Sequence, residues 1–294
     1  MKERIRFIIN PISGVGRKNT IPPMIESHLD KERFDYDIMY TEYKQHAREL
    51  ALQASEENID IVCAVGGDGS VHEVGTALIG TKTKLAIIPT GSGNGLARHL
   101  NIPLGIKDAI YCINFSKCIE MDTVLVNDKS FLGVGGYGLD AVVAKKFDEH
   151  HKRGFINYIY LTIREFFRFN PMNVSIDVDG KVKTLPVVLL TVANSSQFGN
   201  GFTVSPKSDV TDGELELVVL KPFSLWHIPS LVFRFFSKKS DRSRYSEVIS
   251  FKNAKIQSSR QLAHYDGEPM DVLSELNVSV VPKSLNIVVG KSRK

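Results

Sequence analysis

Apolar residues come in short unbroken runs over the first third of the chain and in alternation after it. Residues 5–9, 61–65 and 85–88 are continuous hydrophobic runs, which predicts strands buried on both faces of a parallel sheet. Residues 36–41 predict one more strand. Residues 20–29 and 46–56 read as helices, the second with Ala47, Leu50, Ala51 and Ala54 on one face. This strand–helix rhythm with short connections predicts a doubly wound α/β domain over 1–115. Beyond about Lys117 the texture changes to alternating segments joined by tight turns, Asp128-Lys129 and Asp179-Gly180 among them. Strands are predicted at 124–126, 131–134, 174–178, 182–192, 214–220, 247–251 and 276–281, with helices at 154–169 and 225–236. This half, 116–283, predicts an antiparallel β-sandwich. Residues 286–289 read as a last strand, and a return of about 284–294 to the first domain is left open.

Two of the parallel strands run into glycine-rich turns: Gly66-Gly67-Asp68-Gly69-Ser70 and Pro89-Thr90-Gly91-Ser92-Gly93-Asn94. Each turn leads into a predicted helix, with Ser70 and Ser92 near the helix starts. Backbone N–H groups gathered at the carboxyl edge of such a sheet suit a phosphate chain. Glycine is expected there so that no Cβ blocks the approach of phosphate to the backbone. Asp68 adds a group able to hold Mg²⁺ or take a proton. Glu73 reads as a helix-start acid. The loop after the first strand, Asn10-Pro11-Ile12-Ser13-Gly14-Val15-Gly16, is not G-x-G-x-x-G, which disfavours a hydride-transfer site. The absence of G-x-x-x-x-G-K-[ST] disfavours a P-loop ATPase.

Asp266-Gly267-Glu268 places two acids around a glycine. Alone it is a common turn; beside a phosphate site it becomes a candidate general base. Asp209 and Asp212 lie three residues apart in a turn, where two carboxylates and a carbonyl would make a seat for a hard cation. No His/Cys metal spacing and no G-x-S-x-G elbow occur.

The 294 residues are 43% hydrophobic, enough for one large domain or two of ordinary size with a true core. A net charge of +4 does not demand nucleic acid, and none is expected as a partner. Basic residues cluster at 238–244, just after an aromatic segment with the only tryptophan, Trp226; that segment reads either as a packed helix or as an interfacial membrane contact. Three unpaired cysteines, no signal-peptide pattern and no membrane-length apolar run set the expectation of a cytoplasmic protein.

In Asn10–Gly14, Thr41, 66–74, 89–94, 209–214 and 266–268, in that order, the chain resembles the diacylglycerol kinase catalytic-domain family of soluble lipid kinases, which includes bacterial diacylglycerol kinase-like proteins and sphingosine kinases. The resemblance runs through nearly the whole length. It implies an N-terminal nucleotide domain, a C-terminal β-sandwich, and ATP between them. By it, Asn10, Pro11, Ile12, Ser13, Gly14, Thr41, Gly66, Gly67, Asp68, Gly69, Ser70, Val71, His72 and Thr90 contact the nucleotide. Asp209, Asp212 and the Glu214 carbonyl match a structural Mg²⁺ seat. Glu268 matches the catalytic base with Asp266 in support, and Asp140 matches a lipid head-group contact. The expectation is an ATP- and Mg²⁺-dependent lipid kinase that makes transient, peripheral contact with the membrane, and a homodimer is left open. Ser70, His72 and the 91–94 loop look closer to sphingosine and ceramide kinases than to many bacterial members, which leaves the acceptor lipid open. The alternatives are NAD kinase, which shares the Gly-Gly-Asp-Gly turn, and a non-catalytic lipid- or nucleotide-binding protein of the same fold.

Overall fold

A computed structural model describes residues 2–13, 19–115, 117–149 and 155–290. The chain packs as two units, Met1–Asp122 with Pro282–Lys294, and Thr123–Val281. The division falls at Asp122, inside a strand, a few residues beyond the change of texture near 115.

The first unit contains β1 (Glu3–Ile9), α1 (Ile21–His28), β2 (Phe34–Tyr40), α2 (His46–Glu56), β3 (Ile61–Gly66), α3 (Asp68–Ala77), β4 (Lys84–Pro89), α4 (Gly95–His99), α5 (Ile106–Phe115) and the start of β5 (Cys118–Val126). β1 pairs in parallel with β2 on one side and β3 on the other, and β3 pairs in parallel with β4. The strand order 2-1-3-4 therefore reverses between β1 and β3, and the crevice at their carboxyl ends is the switch point where open α/β sheets bind ligands. Phe7, Cys63, Val65 and Ile88 on one sheet face pack with Ile21 and Ile25 of α1 and Ile106, Ile110 and Ile113 of α5. Complete burial also pushes the Cys63 thiol far up, so it behaves as a small hydrophobe.

The second unit holds β6 (Lys129–Phe131), β7 (Val134–Gly138), α6 (Leu139–Glu149), α7 (Phe155–Phe166), β8 (Met172–Val178), β9 (Lys181–Val187), β10 (Leu189–Ala193), β11 (Gln197–Gly199), β12 (Phe202–Thr203), β13 (Leu215–Leu220), α8 (Ile228–Phe236), β14 (Ser246–Phe251), β15 (Asn253–Ser258), β16 (Leu262–Tyr265), β17 (Glu268–Asp271) and most of β18 (Glu275–Val288). An antiparallel sheet of order 14-13-10-7-16-17 faces strands β18, β15, β8 and β9. Tyr137, Leu190, Leu217 and Val219 of the first sheet pack with Val174, Ile176, Ile256 and Val278 of the second. This is a β-sandwich, as the alternation predicts.

The structure departs from the sequence pattern at several elements, three of which show why. Residues 182–192 are not one strand: the chain turns at Val188, whose N–H donates to Leu220 O, and β9 and β10 enter different sheets. Residues 275–288 are a single strand rather than two. Lys283 is left-handed (φ +50°), and its N–H donates to Asp122 Oδ1 (2.7 Å), so the strand bends there without ending. Its early part pairs with β15 and Ile287 pairs with Leu85 of β4. Helix α6 is an element the sequence pattern above does not predict, although Leu139, Val143 and Phe147 have helical spacing.

Candidate functional site

In the first unit three loops converge at the carboxyl ends of β1, β3 and β4. Asn10 N donates to Val65 O (3.1 Å), and its side-chain Nδ2 donates to Ser70 Oγ (3.2 Å) across the switch point. Asn10 Oδ1 accepts from Ile12 N (3.0 Å), which shapes the loop as an Asx turn. Ser13 Oγ and Thr90 Oγ1 share a hydrogen bond (3.0 Å), and Thr90 N donates to Gly66 O (2.8 Å). Thr41 N donates to Ile9 O (3.0 Å), which fixes the end of β2 beside them. Asn10, Ser13, Thr41, Gly66, Gly67, Ser70 and Thr90 therefore stand in one hydrogen-bonded neighbourhood, where α3 begins with first-turn N–H groups that have no acceptor within the helix. Pro11 is half-buried and Ile12 exposed on the same loop. Gly14 lies outside the described residues. Gly69 and His72 are half-buried on the first turns of α3, while Val71 is buried and its N–H is bonded to Gly67 O.

Asp68 takes a role the sequence did not reveal. Its Oδ1 accepts from Gly95 N (2.7 Å) and its Oδ2 from Asn94 N (2.8 Å), so it clamps the second glycine loop and the start of α4 to the first loop. The reason for glycine changes with it. A Cβ on Gly66 would sit 2.3 Å from Ser70 Oγ, and one on Gly91 would sit 2.5 Å from Gly67 Cα. Glycine is required at 91 by contact between the two loops and at 66 by the Ser70 side chain of its own turn, whatever it also allows a ligand. Ser92 lies near the start of α4, with Asn94 (φ +52°) directly before the helix. Glu73 is not a helix-start acid: it lies in the second turn of α3, where its Oε1 accepts from Gln45 N (3.0 Å).

In the second unit Asp266 (φ +50°) and Gly267 (φ +89°) are the two loop residues of the β16–β17 hairpin. Left-handed conformation at both is a type I′ turn, which favours Asp-Gly. The Asp266 carboxylate accepts three backbone N–H bonds, from Leu132 (2.9 Å), Gly133 (2.7 Å) and Val134 (3.2 Å). It is thereby built into the bend before β7. Glu268, the first residue of β17, is half-buried and pairs in register with Tyr265.

Beneath this turn lies a buried polar relay absent from the sequence reading. His264 Nδ1 accepts from Gly267 N (3.3 Å), and Nε2 lies 3.3 Å from Asp140 Oδ2. An Nδ1 that accepts leaves the proton on Nε2, so the ring donates to Asp140. Asp140 also accepts from Ala141 N (2.9 Å) and Thr191 Oγ1 (3.5 Å). Both side chains are almost inaccessible, Asp140 at 5% and His264 at 3% exposure. Asp140 therefore reaches the acidic turn through His264. A Cβ on Gly136 would fall 1.7 Å from Asp140 Oδ2 and 2.4 Å from His264 Nε2, so this pair needs glycine on β7. The neighbouring phenols of Tyr137 and Tyr265 share a hydrogen bond (3.2 Å), and burial pushes both upward. One signal in the sequence points here: the segment that forms β7 is glycine-rich, a mark of close approach.

The 209–214 turn is also shaped by its acids. Asp209 Oδ1 accepts from Thr211 N (3.0 Å) and Thr211 Oγ1 (2.7 Å), and Asp212 Oδ1 accepts from Glu214 N (2.9 Å). Among the described residues no three His, Cys, Asp or Glu side chains converge as a ready metal site. A cation held here would draw on the two carboxylates, the Glu214 carbonyl and water, a hard-oxygen set that suits Mg²⁺. The buried carboxyl of Glu216 is raised, first by burial and further by the charges of Asp212 and Glu214, while Ser208 Oγ donates to it (2.5 Å).

Comparison with known proteins agrees with this organisation. Residues 4–126 match the model of the diacylglycerol kinase catalytic domain, and residues 133–289 match that of the YegS C-terminal NAD kinase beta sandwich-like domain. The chain is 26% identical over 258 residues to a diacylglycerol kinase of Staphylococcus saprophyticus (85% of this chain, 84% of that protein). It is 27% identical over 229 residues to a diacylglycerol kinase of Bacillus subtilis (76% and 75%). A crystal structure of a diacylglycerol kinase from Bacillus anthracis has the same fold, with a TM-score of 0.75 at 20% identity over 98% of this chain and 97% of the other. The chain belongs to the diacylglycerol kinase catalytic-domain family, phosphotransferases that use an alcohol group as acceptor.

Proposed function

We propose that this protein transfers the γ-phosphate of ATP, with Mg²⁺, to a hydroxyl of a membrane lipid of the diacylglycerol or sphingoid type. The observation that carries the reading is the convergence of Asn10, Ser13, Ser70 and Thr90 with the glycine loops at the β1–β3 switch point. Hydroxyls, an amide and the N-terminus of α3 form a donor-rich, anion-accepting surface. Gly66, Gly67, Gly69 and Thr41 would line it, and Asp68 would hold the two glycine loops in register. Asp209, Asp212 and the Glu214 carbonyl would hold the metal. Mg²⁺ there would supply charge neutralisation and order to the polar residues around it.

In the transfer, Glu268 takes the proton of the lipid hydroxyl, the oxygen attacks the γ-phosphorus, and ADP leaves with the electrons of the broken P–O bond. Asp266 cannot swing freely toward a substrate while it accepts three backbone N–H bonds, so it positions Glu268 rather than acting as base. Asp140 orients the turn through His264, and a polar head group would meet it by that route. The relatives named diacylglycerol kinase support a glycerolipid acceptor. The protein would act in the cytoplasm at the membrane surface; among the described residues no helix is long and apolar enough to cross a membrane.

The test is incubation with γ-labelled ATP and Mg²⁺ against diacylglycerol, monoacylglycerol, sphingosine, ceramide, undecaprenol and NAD. Label in one lipid, abolished by Glu268→Gln, is expected. Label in NAD alone would make the protein an NAD kinase, and label nowhere would leave a binding protein.

A further inference from the structure

We propose that the outward face of α8, with the turn before it, is a docking surface for an anionic lipid bilayer. The fold needs only one face of α8. Leu231 and Phe235 pack on Val134, Leu189, Val218 and Leu220 of the sandwich, and Phe202 stacks on Phe235 (4.5 Å) and meets Phe236 edge-on (5.6 Å). The opposite face is apolar too. Pro229, Val232 and Phe233 recur at helical spacing and are exposed, Phe233 by 68%, with the partly exposed Phe236 at their edge. The single-turn 3₁₀ segment Leu225–His227 ahead of the helix adds Leu225 and Trp226, the latter 91% exposed. That turn is braced: Arg244 lies over the Tyr245 ring (4.8 Å), and its Nη2 meets His227 Nε2 (3.1 Å). The aromatic groups are therefore displayed beside a turn tied to Arg244 and Tyr245. A helix with a second, unrequired apolar stripe is not explained by core packing.

Charge selects the occupant. Between Leu225 and Arg244 the chain carries Arg234, Lys238, Lys239, Arg242 and Arg244 against one acid, Asp241, which already pairs with Lys207 (3.5 Å). A second copy docking face to face would set these cations against themselves. A bilayer with anionic head groups accepts both halves of the surface, the rings at the acyl boundary and the ammonium and guanidinium groups among phosphates. At nine residues α8 is far too short to span, so it would lie in the interface plane.

This deepens the lipid-kinase reading by naming the face that meets the lipid, and it is measured without turnover. Trp226 is the sole tryptophan, so the emission of the whole protein reports this surface. Phosphatidylcholine vesicles with and without phosphatidylglycerol are added to the protein. The expected result is a blue shift, and quenching by brominated acyl chains, with the anionic vesicles only, both reversed by high salt. Lys238→Glu with Lys239→Glu should weaken vesicle binding by at least about tenfold, and Phe233→Asp should abolish the quenching while circular dichroism stays unchanged. Trp226 emission that ignores anionic vesicles overturns the proposal, as does a blue shift that grows with protein concentration in their absence, the signature of self-association. Vesicle binding without label in any lipid would uphold this surface and sink the kinase; label in dispersed lipid without vesicle binding would do the reverse.

Discussion

Two Asp-Gly turns in the sandwich have the same backbone. Asp179-Gly180 joins β8 to β9 with φ values of +53° and +76°, and Asp266-Gly267 joins β16 to β17 with +50° and +89°. Both are type I′ hairpins, and a Cβ on either glycine would meet nothing within 4 Å. The difference lies in what surrounds them. The Asp266 carboxylate is anchored to three N–H groups at 132–134, and Gly267 N rests on a buried histidine. Local turn chemistry thus explains why Asp and Gly occur at both sites, while only tertiary contacts separate a connector from a catalytic candidate.

The largest effect should come from Glu268→Gln. Loss of a general base removes about 10²–10⁴ in turnover, roughly 3–5.5 kcal/mol of barrier, with ATP affinity by calorimetry unchanged. Retained turnover would return the 266–268 turn to the same class as 179–180. Next is His264→Ala, which strips Gly267 N of its acceptor and leaves Asp140 buried without its main partner. A stability loss on the order of 3 kcal/mol in urea unfolding is expected, with kcat falling more than KM, and His264→Asn restoring part of both. A third experiment pairs Asp266→Asn with Asp179→Asn. Asparagine suits both turns, but at 266 an NH2 would face a backbone donor, at a cost of about 2 kcal/mol; at 179 the change should stay within about 0.5 kcal/mol. The smallest effect is Gly267→Ala beside Gly180→Ala. Each should lose about 1 kcal/mol for a left-handed alanine, and only the first should lower activity.

These contrasts mark where sequence reading stops. The strands β1, β3 and β4 and the hairpin at 179–180 are legible because continuous burial and turn chemistry are local properties. The switch of sheets at Val188 is not, since the apolar run continues while its neighbours change. Gly66 and Gly91 are legible as special, but their reason is not: the atom each would strike, Ser70 Oγ or Gly67 Cα, is supplied by the fold. Asp68 was visible as an acid in a loop, whereas its grip on Asn94 and Gly95 spans a strand and a helix. His264 went unread because its partner Asp140 is remote in sequence, and one strand of glycine brings the two together.

The strand β18 has a consequence for how the protein is made. The first unit's sheet pairs β4 with Ile287, which is synthesised only after residues 123–281 have been translated. At on the order of 5–20 residues per second, the edge of β4 waits roughly ten to forty seconds for its neighbour to be translated. During that interval an apolar strand with unpaired amides is open to wrong partners, and a nascent-chain chaperone would find its target there.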